Sequence, residues 1–151
     1  MNDEKTWLQA TLTGKIPMAK AMGVHIERLD DAGLCLDLPL EPNINDKGTA
    51  FGGAMTSAMI LAGWSLPRLL LRRAGVAAEL VIGRCEVRFL APVDGSFQAV
   101  CGWPDEAACQ AFLADVKAGK RGRLALQPRI LHNSEDCAIL QARYTALPTA
   151  A

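Results

Sequence analysis

Residues 52 to 74 read GGAMTSAMILAGWSLPRLLLRRA. Wound as an α-helix, this stretch is apolar on nearly every side. Met55, Ala58, Met59, Ala62, Leu66, Leu69 and Leu70 form one broad face, and Ala54, Ile60 and Leu61 extend it most of the way round through the first four turns. A helix without a polar side must be enclosed. Ser65, Pro67 and Arg68 interrupt the run too often for a membrane span, so the enclosure has to come from the rest of the chain. Pro67 is expected to kink the helix. Arg68, Arg72 and Arg73 place cations at its exit, where the helix dipole favours them and solvent can reach them.

The remainder alternates with a period of two, the signature of strands with one buried face. Val24 and Ile26 alternate with His25 and Glu27. After the turn DDAG, Leu34, Leu36 and Leu38 alternate with Cys35 and Asp37, giving a hairpin. AELVIGRCEVRF sets Arg84, Glu86 and Arg88 against Cys85, Val87 and Phe89. SFQAVCGW follows the turn PVDG, and RGRLALQPRILHN and CAILQARYTAL close the chain as two further strands around NSED. PDEAACQAFLADVKAG carries Ala108, Phe112, Leu113 and Val116 at helical spacing, with acids at its start and Lys117 and Gly119 at its end. Two short N-terminal helices precede all this. One is capped by Asn2 or Asp3 and runs through Leu12. The second starts at Pro17 and stops at Gly23.

The 151 residues therefore form a single α+β domain, residues 1–151, with helices in 1–23 flanking it. An antiparallel, curled sheet of five to six strands wraps around one long buried helix. Such a sheet keeps open edges, and pairing with a second copy would close them.

Several function classes recede. Sixteen basic and sixteen acidic residues balance without a basic stripe, which argues against nucleic acid. MNDEKTWLQA is too acidic and polar for a secretory signal, so a cytoplasmic location is expected. Five cysteines (35, 85, 101, 109 and 137) with no CxxC spacing, and only two histidines, make no metal site. They read as reduced thiols in the core. His25 and His132 fall on polar strand positions and read as surface residues, while Trp64 and Trp103 suit packing.

IPMAKAMGV, PLEPNINDKGTAFGGAM and LAGWSLPRLLLRRAG resemble the thioesterase domain of the YiiD C-terminal type, a group within the hotdog-fold acyl-thioester enzymes. The similarity runs from about Ile16 to Leu147. It implies a hotdog fold and hydrolysis of an acyl thioester. The substrate would be acyl-CoA or an acyl-carrier protein, with coenzyme A or phosphopantetheine as part of it and no separate cofactor. It also implies a homodimer or dimer of dimers, with the site between subunits and the acyl chain along the apolar helix.

Thioester hydrolysis needs a held water, a group to take its proton, and donors for the oxyanion. The first N–H groups of a helix lack partners within it, and Gly52 and Gly53 let a carbonyl approach them, so both are oxyanion candidates. Equally, two small residues let the helix start tightly against the sheet. By the resemblance, Asn45 holds the water or the thioester carbonyl. Asp46 is the only carboxylate in the motif and the candidate base. Yet Asn-Asp-Lys-Gly is also good turn chemistry, and Asn43 suits an Asx turn. Ser57, four residues after Gly53, shares its face and could hold a water or bond back to its own helix. Gly48, Thr49 and Phe51 complete the substrate-binding loop. Arg84 and Arg88 could meet a phosphate of coenzyme A, or form a solvated face with Glu86.

Many hotdog thioesterases carry an acid two to three turns into the buried helix, whereas MTSAMILAGW has none. A non-catalytic module binding an acyl or other apolar ligand is the alternative. Dehydration of hydroxyacyl thioesters ranks lower, because Phe51 stands where such enzymes place a His.

Overall fold

The computed structural model of the chain describes residues 2–149, with side chains from residue 3 onward. In chain order the elements are α1 (Asn2–Lys15), α2 (Pro17–Met22), β1 (His25–Asp30), β2 (Gly33–Leu38), a 3-10 turn (Glu41–Asn43), α3 (Gly52–Ala74), β3 (Ala78–Phe89), β4 (Phe97–Gly102), α4 (Glu106–Lys117), β5 (Gly122–Leu126), β6 (Arg129–His132) and β7 (Glu135–Pro148). The strands form one antiparallel sheet in the order β1-β2-β4-β6-β7-β3, with β5 also paired to β7.

The sheet has seven strands where five to six were expected, and Pro128 is the reason. Proline cannot donate to a ladder, so RGRLALQPRILHN breaks into β5 and β6, which pair with successive parts of the 14-residue β7. The Pro128 carbonyl still accepts the Leu140 N–H at 2.9 Å, which keeps the break tight. At the N-terminus α1 runs past Gly14 to Lys15, and Asp3 sits in its first turn instead of capping it. The expected Asn2 cap falls outside the described side chains.

All seven residues assigned to the broad face of α3 are buried, as is Leu61. Met59, Leu66 and Leu69 retain no exposed surface. Each such side chain contributes roughly 1.5–3 kcal/mol on burial. By length and composition α3 could cross a membrane, but 67% of its most apolar window is buried inside the domain, which makes it the core helix.

Helix and sheet meet closely at Gly63. A β-carbon there would stand 2.5 Å from the Tyr144 hydroxyl and 3.0 Å from Pro128. Tyr144 is fully buried on β7, and its hydroxyl donates to the Ile60 carbonyl at 2.7 Å. The phenol thus adds a donor to a carbonyl of the helix, close to the turn where Pro67 has no N–H to give the Gly63 carbonyl. Burial raises the Tyr144 pKa, so the hydroxyl remains a donor.

The cations at the exit of α3 are not left to solvent. Arg73 holds Glu4 through two hydrogen bonds of 2.6 and 2.8 Å and stacks on Trp103 at 4.7 Å. Arg72 reaches Asp3 at 3.2 Å and covers Trp7 at 4.7 Å, with Arg68 over the same ring at 5.5 Å. These contacts fasten α1 to the core.

Two other expectations change. Cys35, Cys101 and Cys137 are buried as expected, and burial pushes the Cys101 thiol up to about 12, but Cys85 is exposed on β3. His132 is not a plain surface residue, since its side chain is only 12% exposed. Its Nδ1 lies 2.8 Å from the Ser96 carbonyl and its Nε2 2.8 Å from an Asp94 carboxylate oxygen. Two acceptors favour the doubly protonated ring, and the Ser96 carbonyl, joined by the Asp94 carboxylate, raises the His132 pKa against the burial penalty. The clasp holds the loop before β4 to the β6–β7 hairpin, whose two-residue turn, Asn133 and Ser134, has φ of 51° and 65° as a type I′ turn needs.

Two measurements follow. Gly63→Ala should lower stability in urea unfolding by about 1–3 kcal/mol, the usual cost of overpacking. Because the folded-state pKa of His132 is raised, its contribution is complete below the unfolded pKa and is lost as pH rises through the folded one. His132→Gln should therefore depress Tm more at pH 5.5 than at pH 8.5, and a penalty that is equal or grows toward alkaline pH would refute the clasp.

Candidate functional site

The loop from Asn43 to Phe51 is tied at its neck and shaped at its tip. Phe51 N–H donates to the Asn43 carbonyl at 2.7 Å, Ala50 N–H donates to the Val93 carbonyl at 2.8 Å, and Ile44 bridges Ala50. At the tip, Asn45 Oδ1 accepts from the Lys47 and Thr49 N–H groups at 2.8 and 3.1 Å, and Asn45 Nδ2 donates to Thr49 Oγ1 at 2.8 Å. Gly48 takes a φ of +79°, open to glycine at little cost. Asn45 therefore builds the turn. Asp46, beside it, is 83% exposed and pairs with Lys47 at 3.2 Å.

The neck delivers the chain into α3 without a cap. Phe51 occupies the N-cap position in extended geometry, and no side chain bonds the first turn. Among the described residues, the Gly52 and Gly53 N–H groups donate to no acceptor. The two glycines also admit aromatic rings. A β-carbon at Gly53 would stand 2.6 Å from the Phe51 ring, and one at Gly52 would stand 3.3 Å from Phe89. Close packing and free donors thus coexist at one helix start, where the dipole adds positive potential.

Beside this start lies a groove of about 470 Å³, with Met18 and Ala21 of α2, Ile44, Phe51, Gly53 and Ser57 among its lining residues. Asn43 lines it as well. Asn43 is buried, and its amide donates to the Met22 and Pro39 carbonyls at 2.9 and 2.8 Å, bracing the wall instead of making an Asx turn. Ser57 differs from its helical neighbours. Thr56 and Ser65 bond back to the Gly52 and Leu61 carbonyls, at 2.8 and 2.7 Å, whereas Ser57 Oγ has no partner among the described residues. Its hydroxyl is free to hold a water or a ligand atom.

Asn43, Phe51, Gly53 and Ser57 thus come together at one groove, with Gly52 adjoining. Asn45, Asp46, Gly48 and Thr49 form the turn beyond it. Arg84 and Arg88 lie on the exposed face of β3. The walls supplied by Met18 and Ala21 were not singled out from sequence. The i, i+3 spacing of Met18 and Ala21 in IPMAKAMG was the available signal. No titratable side chain among the described residues lines the groove. Among the described residues, no three His, Cys, Asp or Glu side chains are placed to hold a metal ion.

The fold has relatives. A crystal structure of a putative thioesterase from Shewanella oneidensis is 26% identical, covers 98% of this chain and 100% of its own, and superposes with a TM-score of 0.86. A protein of unknown function from Chlorobaculum tepidum is 28% identical over 96% of this chain and 94% of its own, with a TM-score of 0.91. A Pseudomonas aeruginosa protein at 19% identity and a TM-score of 0.78, covering 95% of both chains, shares the fold. The curled antiparallel sheet around α3 is the hotdog fold. The family described as "Putative thioesterase (yiiD_Cterm)" matches residues 5–148, and the chain belongs to that family.

Proposed function

We propose that this chain hydrolyses acyl thioesters carried on coenzyme A or an acyl-carrier protein, with its site completed by a second copy. The observation that carries this is an uncapped, glycine-rich helix start opening onto an apolar groove, in a member of a thioesterase family. The acyl chain lies along Met18, Ala21 and Ile44. The thioester carbonyl points at the Gly52 and Gly53 N–H groups, which stabilise the oxyanion when water adds. Ser57 Oγ positions that water. The tetrahedral intermediate then collapses with loss of the thiolate. Each oxyanion donor of this type is typically worth about a hundredfold in kcat.

Asp46 is the candidate base. Its exposure at the tip of the turn suits a role at the groove of a paired copy. Pairing has a natural surface, because β3 is a 12-residue edge strand bonded, among the described residues, only to β7, with Val81, Ile82, Phe89 and Leu90 exposed along or beside it. A long apolar edge invites a second strand.

A second reading has one specific support: among the described residues, the groove itself has no titratable side chain. In that case the domain holds the acyl group without turnover.

A panel of acyl-CoA thioesters of graded chain length, read by free-thiol release, separates the two. Turnover is expected. Ser57→Ala should lower kcat/KM about tenfold, or roughly 1.4 kcal/mol. Asp46→Ala should lower kcat with Tm unchanged, whereas Asn45→Ala should lower Tm and activity together. Ile82→Asp should convert a dimer to an inactive monomer. Saturable acyl-CoA binding without thiol release would favour the binding module, and a fully active monomer would remove the shared site.

A further inference from the structure

The outer face of the sheet, away from α3, carries cations that neither the fold nor the proposed hydrolysis employs. Arg84 on β3 stands directly opposite Arg143 on β7. On its other side Arg143 faces Ala125 of β5, whose short side chain leaves room above the sheet. Arg123, two residues earlier on β5 and opposite Thr145, joins the same face. All three arginines are exposed. Among the described residues none of them enters an ion pair.

Like charges placed directly opposite on an antiparallel pair destabilise it. The inner face gains nothing from them, since Cys85 opposite Ala142 and Val87 opposite Leu140 point the other way. Glu86, opposite Gln141, is the acid on this part of the face, and one carboxylate against three guanidinium groups leaves it net positive. Arg84, Glu86, Ala125, Gln141 and Arg143 border a groove of about 440 Å³. Guanidinium forks match phosphate oxygens two at a time, which an ammonium group cannot do.

We propose that this groove binds a phosphate or diphosphate group. Arg84 and Arg143 grip its oxygens from opposite strands, Arg123 adds a third charge, and the Gln141 amide supplies a neutral donor. The bound anion removes the repulsion that the empty sheet carries. Edge pairing through the β3 backbone leaves these side chains free, so the site does not depend on the hydrolytic reading. Inorganic phosphates and the nucleotide end of coenzyme A share this chemistry.

Calorimetric titration of the full chain at low ionic strength, with inorganic pyrophosphate and separately with adenosine 3′,5′-bisphosphate, tests the proposal. Saturable binding at one site per chain is expected, with a Tm that rises as pyrophosphate is added. Arg84→Glu and Arg143→Glu should each weaken binding at least tenfold. Each replaces an opposed like pair by an attractive one, so their ligand-free Tm should equal or exceed that of the wild type, and lost binding cannot be put down to unfolding. Tighter binding of the nucleotide identifies coenzyme A or its relatives as the ligand, and equal binding identifies free phosphate. Absence of saturation with both ligands, or binding that survives both substitutions, overturns the proposal.

Discussion

The hydroxyl of Tyr144 donates to the Ile60 carbonyl of α3, a buried polar contact that ties the core helix to the sheet. An apolar helix sliding in an apolar sheet has many arrangements of similar energy. A buried polar group with only one satisfying position breaks the degeneracy, because leaving it unpaired is costly. Gly63 allows the approach and Pro128 closes the other side. With its middle pinned, α3 projects its two ends at fixed places. The exit lands on α1, where Arg72 and Arg73 meet Asp3 and Glu4. The start lands beside Phe89 and the tied loop, with two N–H groups unspent.

That economy bears on function. The helix start cannot be capped by its own loop, because Asn45 directs its side chain into the turn and Phe51 presents a ring instead of a hydroxyl or carboxylate. The free donors, the unbonded Ser57 hydroxyl and the apolar walls then lie together. Positive potential meets an apolar channel there, as a neutral acyl group with a carbonyl about to become an oxyanion requires. With no acid on the buried helix, the turn of a second copy is where a base can come from.

Much of the fold was legible in sequence because its causes are local. The apolar face of α3, the first hairpin and the α4 boundaries follow from periodicity and from the acids at the start of α4, of which Asp105 accepts the Ala108 N–H. What escaped was set by distance. His132 finds Asp94 and Ser96 across 38 and 36 residues, and Arg73 finds Glu4 across 69, so each reads as a solvated polar residue until the sheet closes. Pro128 was visible, but its power to divide a strand depended on β7 being long enough to hold both halves. At the site, the glycines, Ser57 and Phe51 could be placed from spacing along one helix. The groove's far wall came from α2, and the division of labour between Asn45 and Asp46 came from which side chain turned inward.

The central claim is that the unspent N–H groups of α3 receive the thioester carbonyl. Backbone amide NMR during titration with a non-hydrolysable acyl-CoA thioether ketone tests it most directly. The Gly52, Gly53 and Ser57 resonances should shift progressively and saturate together, while Gly75 at the far end of the helix stays fixed. Saturable binding that moves other amides and leaves Gly52 and Gly53 unchanged would contradict the account.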